Sequence, residues 1–347
     1  MTTFSEPKLP FLFLIEITSK MPQRYAVIDL GTNTFHLLIA ELDGNKMHQL
    51  YAEKIGVRLG KPDHEVASDQ PQRLSGISAG VIAPTAIERA MAAMHSFVAK
   101  MAEFGLSPSS AQAFGTSAMR NAQNGQAVAQ RIQDETGIAV SIIDGEREAD
   151  LIYNGVRHSY ALPPIPSLIM DIGGGSVEFI IANADGALWQ QSFEVGGQRL
   201  MDLFMQQDPI GPGQVAALEA WLEKNLQALW QAADLYQPDT LIGSAGTFET
   251  LADMCFFKLQ SEHHPFEDSS WEELPLSTVY ILAQELSYLN KAERLAVPGM
   301  IELRADMSVV AMLMLRYVLQ RLGLKRLLAS VYALKEGVFF QLADQLG

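Results

Sequence analysis

VIDLGTNTFHLLIA at residues 27–40 and IMDIGGGSVEFIIA at residues 169–182 are two copies of one pattern. Laid together, Asp29 falls on Asp171, Gly31 on Gly173, Thr34 on Ser176 and Ala40 on Ala182. Each copy is an apolar run, then Asp-x-Gly with small polar residues, then a second apolar run. Such runs bounded by glycine read as buried strands, and the short insert makes each copy a strand–turn–strand hairpin.

The segments downstream of the two copies are also similar. The first copy leads to a strand near Met47–Lys54 and an alanine-rich helix over Ile77–Phe104. A strand at Gln112–Phe114, a helix at Gln126–Glu135, a strand at Val140–Ile143 and a helix from Glu146 complete that half. The second copy leads to a strand at Leu188–Phe193, helices at Gly197–Phe204 and Gly213–Leu235, a strand at Thr240–Ile242 and a helix from Thr247. Helices are expected at Thr278–Leu289 and Ala305–Leu322, then a strand at Arg326–Ser330 and a helix at Ala333–Gln345. The polar stretch Glu262–Glu273 reads as a loop.

This repetition implies two α/β domains of similar topology with a cleft between them. The proline-rich Leu162–Pro166 breaks helix and marks the edge between the halves. We expect a first domain over 23–144, with the C-terminal helix 333–347 joining it, and a second over 145–332. Residues 1–22 fall outside the pattern and are expected to form a disordered extension, with Met21 an alternative start.

At 48% hydrophobic and 19% charged residues, the chain has the profile of a folded protein rather than a disordered one. No segment offers the roughly 20 apolar residues of a membrane span, and the N-terminus lacks a signal-peptide pattern. The single cysteine, Cys255, lies in an apolar run and reads as packing in a reducing compartment, so a cytoplasmic location is expected. The net charge of −15 disfavours nucleic acid and anionic membrane as partners. A polyanionic substrate would need local cations, a metal and backbone amides to offset that field.

The glycine turns can supply those amides. Glycine lets a ligand approach the backbone, and successive N–H groups in such a turn form an anion-binding nest. Thr32, Asn33 and Thr34 in one turn and Ser176 in the other add side-chain donors, and Gly173-Gly174-Gly175 makes the second turn especially open. Asp29, ending the first strand, is placed to hold a metal against phosphate oxygens. Neither turn is a Walker loop or a G-x-G-x-x-G, because Ser176 enters a strand rather than a helix. A third turn, Gly243-Ser244-Ala245-Gly246-Thr247, sits between strand and helix, where it suits an anion or simple packing equally. In Gly115–Arg120, Arg120 fits a cleft cation or a solvated helix start. The run Asp144–Asp150 suits a helix N-terminus, and its spacing singles out no one carboxylate. His36 and His48 read as cleft-edge or surface residues, and Met307–Met314 as core filling.

The segments AVIDLGTNTFHLLIAE, GTSAMRNA, IIDGEREADLIYNGV, LIMDIGGGSVEFII, LIGSAGT and VPGMIELRAD occur in that order. Together they resemble the exopolyphosphatase / guanosine pentaphosphate phosphatase (Ppx/GppA) family, over about residues 24–342. The resemblance implies duplicated ribonuclease-H-like domains of the actin-like, sugar-kinase and chaperone ATPase superfamily. It implies Mg²⁺-dependent hydrolysis of terminal phosphoanhydrides in the interdomain cleft, and a homodimer. By motif, the family's catalytic glutamate falls on Glu148, its loop aspartate on Asp171, its loop serine on Ser176, a further acid on Glu178 and its cleft arginine on Arg120. Asp29, Asp171 and Glu178 are then the expected metal ligands, and Gly31–Thr34, Gly173–Ser176, Gly243, Ser244, Gly246 and Thr247 the phosphate binders.

The chain departs from the family at Val331 and Lys335, where Asp and Arg are usual, and the short form, without the C-terminal helical extension of larger members, is expected. Three functions stay open: release of orthophosphate from inorganic polyphosphate, hydrolysis of guanosine pentaphosphate at its 5′-phosphate, and non-catalytic sensing of such ligands. A kinase or ATPase of the same superfamily would need a second-substrate segment that the sequence does not announce.

Overall fold

A computed structural model describes residues 23–43, 46–60 and 80–346. The expectation for residues 1–22 lies outside them. The first sheet holds β1 (Gln23–Leu30), β2 (Thr34–Asp43), β3 (Lys46–Gly56), β4 (Gln112–Gly115) and β5 (Val140–Ile142), in the order β3-β2-β1-β4-β5. The second holds β6 (Ser167–Ile172), β7 (Val177–Asn183), β8 (Gly186–Phe193), β9 (Thr240–Ser244), β10 (Trp271–Leu274) and β11 (Arg326–Ser330), in the order β8-β7-β6-β9-β11-β10.

The two sheets are the same up to one added edge strand. β1, β2 and β3 correspond to β6, β7 and β8, antiparallel throughout, while β4 and β9 pair parallel to β1 and β6. Even the irregularities coincide. The ladder shifts register between Ile39 and Ala40 in one hairpin and between Ile181 and Ala182 in the other. Gly31 N–H donates to Thr34 O at 3.1 Å, and Gly173 N–H to Ser176 O at 3.0 Å. The duplicated α/β fold is therefore present down to its turns.

The α-helices are α1 (Pro84–Glu103), α2 (Ser117–Asn121), α3 (Gly125–Thr136), α4 (Gly145–Ser159), α5 (Gly197–Phe204), α6 (Pro212–Asn225) and α7 (Gln227–Tyr236). They continue with α8 (Gly246–Leu259), α9 (Leu276–Tyr288), α10 (Lys291–Leu295), α11 (Glu302–Ala305), α12 (Ser308–Leu322) and α13 (Leu334–Leu346).

Strand parity assigns each face of each sheet to a different core. Ala26, Ile28 and Leu30 of β1 pack with α1, α2 and α3. Leu168, Met170 and Ile172 of β6 pack with the second domain's outer helices, including α8 and α12. The opposite faces, with Val27 and Ile169, meet a shared core around α4 and α13. Thus α4 and α13 lie between the two sheets, and α13 touches β1 directly. Asp29 and Asp171 have the parity of Val27 and Ile169, so both project into this interdomain layer. His36 and Glu178, at equivalent places in β2 and β7, do the same.

Four expected elements differ. The first helix begins at Pro84 rather than Ile77, residues 77–79 lying outside the described chain. Proline suits a first helical position because the N–H it lacks would have no partner there. Gly213–Leu235 is two helices, α6 and α7, broken at Leu226, whose φ −106° and ψ 23° leave the helical range. Ala305–Leu322 likewise divides into α11 and α12 at Asp306–Met307. Within the expected loop Glu262–Glu273, Trp271–Leu274 forms edge strand β10, antiparallel to β11. Its alternation is masked by Glu272 and Glu273, which an edge strand tolerates. Among the described residues no helix is long and apolar enough to cross a membrane.

Candidate active site

The two hairpin turns face each other across a cleft of about 700 Å³, measured with its open mouth. Asp29, Gly31, Thr32, Asn33, Thr34, Glu148, Asp171, Gly173, Gly174, Gly175, Ser176 and Glu178 all line it. The turns are nearly in contact. A Cβ on Gly175 would stand 2.4 Å from Ser117 Oγ and 2.9 Å from Thr32 Oγ1. Only a residue without a side chain lets the second turn come this close to the first.

Glu148 arrives from α4. Asp144 caps that helix, its Oδ1 accepting from Arg147 N at 2.8 Å. Glu146 is exposed to solvent in the first turn, whereas Glu148 is 7% exposed on the inward face. The cap thus fixes the helix phase, and the phase selects the carboxylate that the sequence alone did not. Arg120 Nη1 donates to Glu148 Oε2 at 2.8 Å and to Ile143 O at 3.1 Å. Arg120 stands behind Glu148 rather than in the cleft lining.

Four carboxylates therefore share one buried layer. Burial is the main force raising each of their pKa values. It is reinforced for Asp171 by Glu148 and Asp29, for Glu178 by Asp171, and for Glu148 by Glu178. Asp29 is pushed up to about 6, Asp171 to about 7 and Glu178 to about 7. Glu148 is raised well above its ordinary value, with Arg120 opposing the rise. Serine hydroxyls hold two of the group. Ser244 Oγ donates to Asp171 Oδ2 at 3.2 Å, and Ser192 Oγ to Glu178 Oε1 at 2.7 Å.

The third glycine turn is placed differently from the expectation. Only its Ala245 reaches the cleft. Gly243 packs under Phe248, where a Cβ would fall 1.9 Å from the ring. Ser244 is fully buried beneath Asp171. Gly246 lies against the Arg304 guanidinium, and Thr247 Oγ1 donates to Ile172 O at 3.4 Å. These four residues support the wall of the site and do not line it.

Several lining residues were not among the expected site residues, although His36 was read as cleft-edge or surface and Lys335 as a departure from the family. Lys335, at the start of α13, has its Nζ 3.4 Å from His36 Nδ1. Burial opposes its charge, but Glu336, Asp29, Glu249 and Asp171 together raise its pKa. Arg304, within the quoted VPGMIELRAD segment, lines the cleft near Asp171, and burial lowers its pKa. His36 is held neutral by burial and by Lys335, Lys54 and Arg304 around it. Met307 lines the cleft, with Asn33 Nδ2 donating to its Sδ at 2.8 Å, while Met312 and Met314 fill the core as expected. The signal for Lys335 was the departure at 330–337 itself, since a lysine there keeps a cation in reach. Cys255 is buried and free.

Among the described residues no group of three or more His, Cys, Asp or Glu is arranged to hold a metal by itself. The donor set still fits magnesium. That ion keeps several waters and is usually bound through one or two carboxylates plus substrate phosphates. Buried carboxylates that repel one another are what such a cation would relieve.

The chain is similar to an exopolyphosphatase from Cytophaga hutchinsonii whose crystal structure is known. The two are 40% identical with a TM-score of 0.85, over 93% of this chain and 98% of that one. It is also similar to exopolyphosphatase 1 of Mycobacterium tuberculosis, 30% identical over 66% of this chain and 63% of that protein. An Aquifex aeolicus member of the Ppx/GppA family, 22% identical, shares the fold with a TM-score of 0.73 over 94% of this chain and 99% of that one. With residues 38–346 matching the family model as well, the protein belongs to the Ppx/GppA phosphatase family.

Proposed function

We propose that this protein is an exopolyphosphatase that releases terminal orthophosphate from inorganic polyphosphate. The observation that carries the reading is the pair of closely apposed glycine turns closing on a layer of four buried carboxylates, with Glu148 on a capped helix among them. The names of its relatives agree with it.

In this mechanism the terminal phosphoryl sits between the turns, its oxygens accepting from backbone N–H groups of Thr32–Thr34 and Gly174–Ser176, since the N–H groups of Gly31 and Gly173 close the turns themselves. Glu148 orients a water and accepts its proton as the water oxygen bonds to the terminal phosphorus. The bridging P–O bond breaks, orthophosphate forms, and the shortened chain keeps the bridging oxygen. A raised pKa suits Glu148 to this task, since a general base works best when its pKa lies near the operating pH. Arg120 restrains the rise. Arg304 and Lys335 offset substrate charge in a chain whose net charge is −15.

One or two of Asp29, Asp171 and Glu178 would hold Mg²⁺ together with water and substrate oxygens, and the ion would supply charge neutralisation at the leaving oxygens. We include in the proposal the cytoplasmic location, for which the lone buried thiol speaks, and the homodimer that the family resemblance implies.

The test is phosphate release with Mg²⁺ from medium-length polyphosphate, guanosine pentaphosphate and ATP, compared with Glu148→Gln. Release from polyphosphate that falls by roughly 10²–10⁴ in the variant is expected. Preference for guanosine pentaphosphate would reassign the substrate. Tight binding with no release from any of the three would make the protein a sensor.

A further inference from the structure

Arg120 is fastened at one end only. Its Nη1 is bonded to Glu148 and Ile143 O, whereas its Nη2 is buried with no hydrogen-bond partner. Glu194 Oε1 stands 3.7 Å from that nitrogen, within electrostatic reach but beyond a hydrogen bond. Glu194 follows β8 in the second domain and reaches across to the first. It accepts from Ser117 Oγ at 3.3 Å and from Asn121 Nδ2 at 2.8 Å. These are the first and last residues of α2 and lie on the same helix face as Arg120. Glu194 also accepts from Arg199 Nη2 at 2.7 Å, and Arg199 Nε reaches Gly175 O at 3.5 Å. One carboxylate thus joins α2 of the first domain to the phosphate turn of the second.

We infer that Glu194 is a positioning residue, latching α2 onto the second phosphate turn and so holding Arg120, and through it Glu148, in place beside the cleft; this rests on the hydrolase reading above. The bonding pattern supports it. A carboxylate offers about four acceptor sites, and Ser117, Asn121 and Arg199 use three. The remaining charge attracts Arg120 Nη2 without bonding it, while Nη1 stays on Glu148, so the guanidinium is steadied from both sides. The latch also explains the contact between turns. Ser117, which Glu194 holds, is the residue against which Gly175 packs. Removing Glu194 would leave Arg199 and Arg120 as neighbouring cations without the anion between them.

The experiment uses the full chain with Glu194→Ala, Asn121→Ala, the double variant and Glu194→Gln. Three quantities are read: Mg²⁺-dependent phosphate release from medium-length polyphosphate, the unfolding temperature, and amide hydrogen exchange over residues 115–122 and 173–176 without substrate. Glu194 is 43% exposed on its side chain, so its removal should leave the unfolding temperature nearly unchanged. We expect kcat to fall about fivefold, the scale for partly exposed charged contacts, and exchange to quicken in both segments. The double variant should be no slower than Glu194→Ala alone, because both changes cut the same link. Glu194→Gln, which keeps an acceptor oxygen but not the charge, should fall between wild type and Glu194→Ala. Additive losses, unchanged exchange or an unchanged kcat would overturn the latch. If the wild type releases no phosphate, the hydrolase reading fails, and exchange still decides: quickened exchange in Glu194→Ala upholds the latch and equal exchange overturns it.

Discussion

Replacing Asp171 by Asn should stabilise the metal-free protein at alkaline pH while abolishing its activity. Asp171 is 8% exposed, and burial together with Glu148 and Asp29 pushes its pKa from 3.8 to about 7. An acid whose pKa is higher in the folded state binds more protons there than in the unfolded chain. Stability is therefore lost as pH rises from the unfolded value, near 4, through the folded one, near 7. Each unit is worth about 1.4 kcal/mol, so between pH 5 and pH 8 this one group should cost the folded state about 3 kcal/mol. Asn has nearly the same shape, and its carbonyl oxygen can still accept from Ser244 Oγ, but it carries no charge to bury. Glu178 feels the same repulsion from Asp171, so the two shifts are not summed. Urea unfolding at pH 5 and pH 8 in chelator, for wild type and Asp171→Asn, reads the effect as a difference of differences. Millimolar Mg²⁺ at pH 8 should then restore the wild type, by about 3 kcal/mol at a hundredfold excess over Kd, and leave the variant unmoved. An identical pH dependence in the two proteins would refute the claim that Asp171 carries a buried, mutually repelling charge.

Other sites give sharper or simpler tests. Gly175→Ala places a methyl against Ser117 Oγ and Thr32 Oγ1, so the turns must part and kcat/KM for polyphosphate should fall about a hundredfold with little loss of stability; an unimpaired enzyme would show that the turns need not meet. Gly243→Ala should do the reverse. Its methyl would overlap the Phe248 ring, costing about 1–3 kcal/mol in urea unfolding, with KM unchanged if this turn only supports the wall. Arg294 is 1% exposed and bonds Asp208 at 2.6 Å along with the carbonyls of Leu289 and Ala305. Arg294→Ala should cost about 3 kcal/mol, measured by thermal or urea unfolding, and a loss below about 1 kcal/mol would mean that Asp208 simply turns to water.

The repeat at 27–40 and 169–182 was enough to establish duplication, hairpins and phosphate turns, because these depend on short-range rules. Apolar runs, an Asp-x-Gly turn and the two-residue period of a strand are all written within fourteen consecutive residues. The same period carries Asp29 and Asp171 to one face along with Val27 and Ile169. Parity was legible; which face looks onto the other domain was not. That depended on α4 and α13 filling the space between the sheets, an arrangement assembled from residues nearly 200 positions apart. Element boundaries failed where the local pattern was continuous but the packing was not, as at Leu226 and Asp306–Met307, or where charge hid an edge strand, as at Glu272 and Glu273.

The sequence by itself determined the fold, the family resemblance and the two turns, because glycine spacing and strand alternation are local constraints that any packing must respect. Only the tertiary structure decided which of the flanking groups serve the cleft. Glu148 rather than Glu146 faces inward because Asp144 sets the phase of α4. Ala245 rather than Gly243 or Thr247 reaches the cleft because Phe248 and Arg304 occupy the space around its neighbours. Lys335, Arg304 and Glu194 join the site from elements distant in the chain, brought there by burial of apolar surface that has no sequence period of its own.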